Sequence, residues 1–336
     1  MGPTMNKLQL AGSLAIVVFG FTSAVHAQTT TINTAQGTVS GANYDDDGSP
    51  NVNITSTGSI TYSGANNFTN TNGSPQGDNF FDNIENSGSL TVNSATFQDS
   101  ANAGYNIDTE QGGTTILTGG SYTSTEYNNI ENAGGTTTFS GGTYTSSNGD
   151  NIDNASGSTI ISGGSFTQNG GGGGNYTNES GSTTISGGTF INNNNDGYDI
   201  ASGGGTLSIS GGDFTTDASQ DVIQVFAVGS TITLTNLGDG TTVDLGGGSV
   251  YDFDANNGVI DISGPGIFSE TGTVTGTGLF TETYGGNVTS YTYNTTNGGS
   301  LDINTVPVPE PLPATTLILG GVGIGLLTVR SRRKTV

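Results

Sequence analysis

Cysteine and tryptophan are both absent from this 336-residue chain, and basic side chains are nearly so. Without cysteine there is no disulfide framework, no thiol nucleophile and no thiolate-held metal. The five Lys and Arg residues are Lys7, Arg330, Arg332, Arg333 and Lys334, and the one histidine is His26. Residues 28–329 therefore contain no Lys, Arg or His at all. A nucleophilic triad, which needs a basic partner, is excluded from that span. The same span carries all 28 Asp and Glu residues, which bring the chain to a net charge of −23. A polyanion of this kind excludes nucleic acid as a partner, because duplexes and single strands bind cations. Lyases that neutralise a uronate with a cationic side chain are excluded too; glycan chemistry here would need carboxylates or a bound calcium ion.

What charge of the positive sign there is lies at the two ends. Lys7 precedes an apolar run, Leu8 to Phe21, followed by Val25-His26-Ala27. That order reads as a secretory signal peptide over residues 1–27, cleaved after Ala27, so the mature chain begins at Gln28. At the other end Pro309-Glu310-Pro311 is followed by the uncharged, mostly apolar stretch Leu312 to Val329 and then by Arg330, Arg332, Arg333 and Lys334. At about 1.5 Å per residue that stretch spans about 27 Å as a helix, just enough for a bilayer core. The basic tail stays cytoplasmic and the acidic body faces outward.

These three consecutive parts resemble the PEP-CTERM sorting domain. The resemblance covers residues 309–336 and rests on Pro309-Glu310-Pro311, the apolar span and the Arg-rich end. It implies handling by the secretion machinery, transient anchoring in the inner membrane, and processing by the transpeptidase exosortase near Pro309-Glu310-Pro311. It further implies a host of Gram-negative type that makes exopolysaccharide, and a destination at the cell surface or in the extracellular matrix.

Between the ends, low hydrophobicity and high negative charge would signal disorder, were the sequence not periodic. Gly-Gly pairs recur at Gly119, Gly141, Gly163, Gly187 and Gly211, at steps of 22, 22, 24 and 24 residues. Two residues after each pair stands an aromatic: Tyr122, Tyr144, Phe166, Phe190 and Phe214. Two residues before each stands Leu117, Phe139, Ile161, Ile185 or Ile209. A third row, Ile84, Ile107, Ile130, Ile152, Tyr176, Ile200 and Ile223, keeps the same register, and Phe97 extends the aromatic row one unit earlier. A period in this range means a stacked array. Short segments rich in Thr, Ile, Phe and Tyr, separated by Gly and Asn, are strands and turns, and no helical stripe is present. The expected fold is all-β: a single-stranded parallel β-helix, or solenoid, with coils of 22–24 residues, plus a C-terminal transmembrane helix. Strand alternation places Ile161, Ile185 and Ile209 inside and Thr138, Thr184 and Ser208 outside.

The expected organisation is a signal peptide (1–27), an N-terminal cap or arm (28–52), regular repeats (53–223), irregular coils and a C-terminal β cap (224–294), a linker (295–308) and the sorting and anchor segment (309–336). In the cap region, segments flanking Gly285-Gly286-Asn287 read as a hairpin.

Two outward features carry chemistry. Glu85, Asp108, Glu131 and Asp153 each follow the inward Ile row by one position, so they form an acidic column whose mutual repulsion a bound calcium ion would relieve. Thr114, Thr136, Ser158, Ser182 and Thr206 form a hydroxyl column of the type that contacts flat, regular surfaces. Asp252-Phe253-Asp254 and Asp45-Asp46-Asp47 are the only other carboxylate groupings that stand out. The reading is a structural or adhesive surface protein associated with exopolysaccharide and not an enzyme; the alternative is a polysaccharide-active β-helix lyase or hydrolase that uses carboxylates or calcium.

Overall fold

The computed structural model describes residues 29–46, 50–70, 82–100, 104–193, 197–216, 221–227, 230–237, 241–244 and 251–306. Ala27, Pro309, Glu310, Pro311, Arg330, Arg332, Arg333 and Lys334 lie outside the described residues, as do the expected signal peptide and membrane helix. Among the described residues the regular elements are all strands, and no helix is long and apolar enough to cross a membrane.

The chain winds as a parallel β-solenoid with three strand-bearing faces per coil. One coil serves as the template. Ile130–Asn132 lies on the first face, and Thr136–Ser146 then runs along the second face and bends into the third. The first faces stack as a 13-stranded sheet, and the second and third faces together form a 17-stranded sheet. Register follows the repeat: Ile107 pairs with Ile84 and Ile130, Phe139 with Leu117 and Ile161, and Tyr144 with Tyr122 and Phe166. The change from 22 to 24 residues per coil is absorbed in one turn. Ser146 pairs with Gln168 and Gln168 with Asn192, so the two extra residues sit in the glycine run after Asn169.

The Gly-Gly pair makes the corner between the second and third faces. The ladder slips there, with register shifts between Phe139 and Ser140 and between Ser140 and Thr143. The second glycine of each pair has a left-handed backbone, φ 98° at Gly142 and 115° at Gly164, which glycine adopts at little steric cost. A strand can then turn the corner as a bulge without ending.

Inside, like stacks on like. Tyr44, Phe68, Phe97, Tyr122, Tyr144, Phe166, Phe190 and Phe214 form one pile of rings with centroids 4.3 to 4.8 Å apart and planes within 14° of parallel. That spacing equals the separation of neighbouring strands, so the backbone ladder sets the ring stack. Ile161, Ile185 and Ile209 are fully buried, while Thr138, Thr184 and Ser208 share an outward column, as the alternation requires. Burying one such side chain stabilises by about 1.5–3 kcal/mol. A single coil has too few of them to offset the ordering of its backbone, so stability is shared between neighbours.

The ends depart from the sequence reading in two places. Within the expected N-terminal cap or arm, Thr30–Ile32, Ala35–Val39 and Asn43–Asp46 pair in parallel with Val52–Ile54, Ser59–Tyr62 and Asn67–Asn70. The stacked rings thus begin at Tyr44, two coils before Phe97. Within the expected linker, Ser300–Thr305 is a strand paired with Val259–Gly264, and Leu301 and Ile303 are fully buried. Its period-two pattern is short, and no Gly-Gly signal accompanies it. The expected hairpin forms from Thr277–Tyr284 and Asn287–Asn294 around Gly285-Gly286, both with positive φ. Phe280 and Tyr291 on its inner side are buried beside Phe253, so the hairpin folds against the last coils.

Candidate binding faces

The outward side chains are segregated by face. On the second face, Ser89, Thr114, Thr136, Ser158, Ser182, Thr206 and Thr231 are successive in-register partners. Beside them runs the column Thr91, Ile116, Thr138, Ile160, Thr184, Ser208 and Thr233. On the third face Ser121, Thr143, Ser165 and Thr189 form another column, next to Thr123, Thr145 and Thr167. None of these positions carries a charge. Two residues along a strand advance about 6.7 Å and one coil advances about 4.8 Å. The hydroxyls therefore stand on a two-dimensional grid, interrupted by the half-exposed methyl groups of Ile116 and Ile160.

The acidic column lies on the first face. Glu85, Asp108, Glu131 and Asp153 are direct register partners, as the sequence reading expected. They are more sheltered than an outward column would be: Asp108 is only 8% exposed. Asp82 and Tyr105, from the turns entering the first face, stand beside the column, and the Tyr105 hydroxyl donates to Glu131. Asn53 donates to Glu85 Oε2 at 2.9 Å and Asn128 to Asp153 Oδ2 at 3.2 Å. Asp108 Oδ1, Glu131 Oε2 and Asp153 Oδ1 are buried without a hydrogen-bond partner. Burial, reinforced by neighbouring carboxylates, pushes Asp108 up to about 9 and Asp153 up to about 8, and raises Glu85 and Glu131. Asp82 is likewise held at about 8 by burial, partly opposed by the Tyr105 backbone N–H. Beyond Asp153 the column continues through Thr177, Ala201 and Gln224 to Asp254. Among the described residues no three acidic side chains gather closely enough to hold an ion between them.

The Asp252-Phe253-Asp254 grouping separates into two environments. Asp252 Oδ2 accepts from the Thr292 backbone N–H at 2.8 Å and from the Thr292 hydroxyl at 3.2 Å, tying the coil to the hairpin. Asp254 instead meets Asp221, which burial and the Asp254 charge push up to about 7. Carboxyls in hydrogen-bonding contact are closer than the about 5 Å or more by which glycosidase carboxyls flank a bond. Asp45 and Asp46 lie in the strand Asn43–Asp46, and Asp47 is outside the described residues.

Sequence reasoning missed a buried ladder of amides at the corner entering the first face. Asn51, Asn83, Asn106, Asn129, Asn151 and Asn175 each donate a side-chain N–H to the Oδ1 of the next, at 2.6 to 2.8 Å, and Asn175 donates to Asp199 at 2.6 Å. Asn129 spends its second N–H on the Thr145 carbonyl of the third face at 2.8 Å, and Asn83 and Asn106 do the same with Gln98 and Thr123. The amides thus fasten coil to coil and face to face with their polar groups satisfied. The signal was present: Asn83, Asn106, Asn129, Asn151 and Asn175 each stand one position before a member of the inward row headed by Ile84, and Asn51 stands before Val52, the partner of Ile84 in the preceding coil. A second inward set, Asn86, Asn132 and Asn154, bonds to Thr115, Thr159 and Thr183.

The fold and its faces define the class: a parallel β-solenoid with hydroxyl-bearing and acidic sides. Compared with known families, with characterised proteins and with solved structures, the chain matches none.

Proposed function

We propose that this chain is a structural or adhesive protein of the cell surface or extracellular matrix, exported by its signal peptide, sorted through residues 309–336 and associated with exopolysaccharide. The observation that carries the reading is the grid of Thr and Ser hydroxyls on two adjoining faces, free of charge from Ser89 to Thr231 on the second and from Ser121 to Thr189 on the third. A hydroxyl-rich polymer offers matching donors and acceptors at many equivalent points, and a stack of identical coils multiplies weak contacts into avidity. Exposed acidic side chains at Glu126 and Glu179 in the turns, and at Asp213 where the third-face column passes beyond Thr189, keep the stack soluble.

Two experiments test this. Full-length protein is expected to be retained on the host's exopolysaccharide, and a Thr138→Glu, Thr184→Glu variant is expected to lose most of that retention; equal binding by both proteins would contradict the assignment of the grid. Mass spectrometry of the exported form is expected to show the chain ending near Pro309-Glu310-Pro311, whereas a form still carrying Arg332 would contradict exosortase processing.

A further inference from the structure

We propose that the acidic column of the first face binds calcium, with each ion seated between neighbouring coils at the carboxylates of Glu85, Asp108, Glu131 and Asp153. The four are consecutive register partners. Parallel strands hold neighbouring residues about 4.8 Å apart, so the column is a line of carboxylate-bearing positions at nearly constant spacing.

The amides that touch the column do so at its two ends. Asn53 holds Glu85 and Asn128 holds Asp153, each through one oxygen. Asp108 is more than nine-tenths buried and its Oδ1 has no partner, and Glu131 Oε2 and Asp153 Oδ1 are likewise unpartnered. A buried carboxylate oxygen without a donor is costly. No side chain of this solenoid can supply the missing positive charge, because residues 28–329 contain no Lys, Arg or His. Whatever relieves the column, a proton or a metal cation, must come from solution.

The spacing selects among ions. Calcium takes oxygen ligands at about 2.3–2.6 Å in irregular shells of six to eight. Two such bonds reach across about 5 Å, the distance between coils. Magnesium, at about 2.0–2.1 Å and strictly octahedral, would require the carboxylates to lean together and does not give up water readily. Since no three acidic side chains converge on one point, each ion bridges two coils and completes its shell with water. That is the weak binding, about 10⁻⁴–10⁻³ M, that suits calcium levels outside cells. Bridging turns the repulsion between coils into a tie, so the ion acts along the stacking axis that the amide ladder already fastens.

The test is thermal unfolding of the full-length protein in detergent at pH 8, in EDTA, in 5 mM calcium chloride and in 5 mM magnesium chloride. Calcium is expected to raise the midpoint by several degrees and magnesium by clearly less. An Asp108→Asn, Glu131→Gln variant is expected to fold, to match or exceed the wild-type midpoint in EDTA, and to lose the calcium shift. An unchanged wild-type midpoint in calcium overturns the proposal. So does a calcium shift that survives in the double variant, or an equal response to magnesium. Isothermal calorimetry with calcium alone supplies the second readout: saturable heat in the wild type and none in the double variant.

Discussion

Asn175 donates its side-chain amide to Asp199 at 2.6 Å, and with that bond a buried chain of six asparagines ends on an acid. Asp199 is fully buried, and its other oxygen has no partner. Burial pushes the carboxyl up to about 8, opposed in part by the Asn175 amide. The protonated acid has the shape of an amide, with one oxygen accepting and one O–H in the place of an N–H. Asp199→Asn is therefore expected to continue the ladder and remove the cost of keeping a buried acid neutral. Removing that proton linkage is worth up to about 5 kcal/mol at pH 8, and the gain should shrink toward zero near pH 4. Chemical denaturation at the two pH values checks this; a variant equally destabilised at both would refute it.

A wider pH dependence follows from the same sign. Asp82, Asp108, Asp153 and Asp199 are all raised by burial, to about 8, 9, 8 and 8. In the unfolded chain they titrate at the ordinary carboxylate value near 4. Between those limits the folded state holds protons that the unfolded state has released, so stability falls as pH rises from about 4 to about 9. In EDTA the unfolding midpoint is expected to be highest near pH 4–5, the reverse of ordinary acid denaturation. A midpoint that peaks at neutral pH and drops on acidification would contradict it.

The ring pile makes a sharp contrast between neighbours in sequence. Phe166 lies between Tyr144 and Phe190 with centroids 4.7 Å away on both sides, whereas Thr167 points outward. Phe166→Ala is expected to cost about 3–5 kcal/mol, and Thr167→Ala less than about 0.5 kcal/mol. Urea titration of both variants measures the difference.

Glycines differ by position in the same way. A Cβ added at Gly141 would meet the Thr118 carbonyl oxygen at 2.4 Å, while one added at Gly171 would meet nothing within 4 Å. Gly141→Ala is expected to destabilise by about 1–3 kcal/mol. Gly171→Ala should be neutral or stabilising by a few tenths, through loss of freedom in the unfolded chain. Equal effects at the two sites would show that the corner is not built as described.

The regular coils were legible because each carries three apolar positions and a Gly-Gly pair at fixed offsets, and their register partners in space are their repeat partners in sequence. Glu85, Asp108, Glu131 and Asp153 were placed in one column by that logic alone. Their sheltering was not legible, because it depends on Asp82 and Tyr105 in turns of variable length. The coil headed by Thr30 escaped, and the one headed by Val52 was not given its apolar rows, because both lack the Gly-Gly pair and their steps are uneven: the first-face row advances 22 and then 32 residues from Thr30 to Val52 to Ile84, and the aromatic row 24 and then 29 from Tyr44 to Phe68 to Phe97. The asparagine ladder was overlooked for a different reason. Asparagine in a Gly-rich sequence reads as turn, and only the pairing of each amide with its neighbour turns it into core.

The claim on which the rest depends is that the coils stack in register at one strand spacing each. The absence of cysteine allows it to be measured without background, by spin-labelling pairs of introduced cysteines on the outward column Ser59, Ser89, Thr114, Thr136, Ser158, Ser182, Thr206 and Thr231. Double electron–electron resonance between a label at Thr231 and labels at Thr114, Ser89 and Ser59 is expected to give narrow distributions that lengthen by about 4.8 Å per coil, whatever the number of residues in that coil. Broad distributions that scale with sequence separation would contradict the stack.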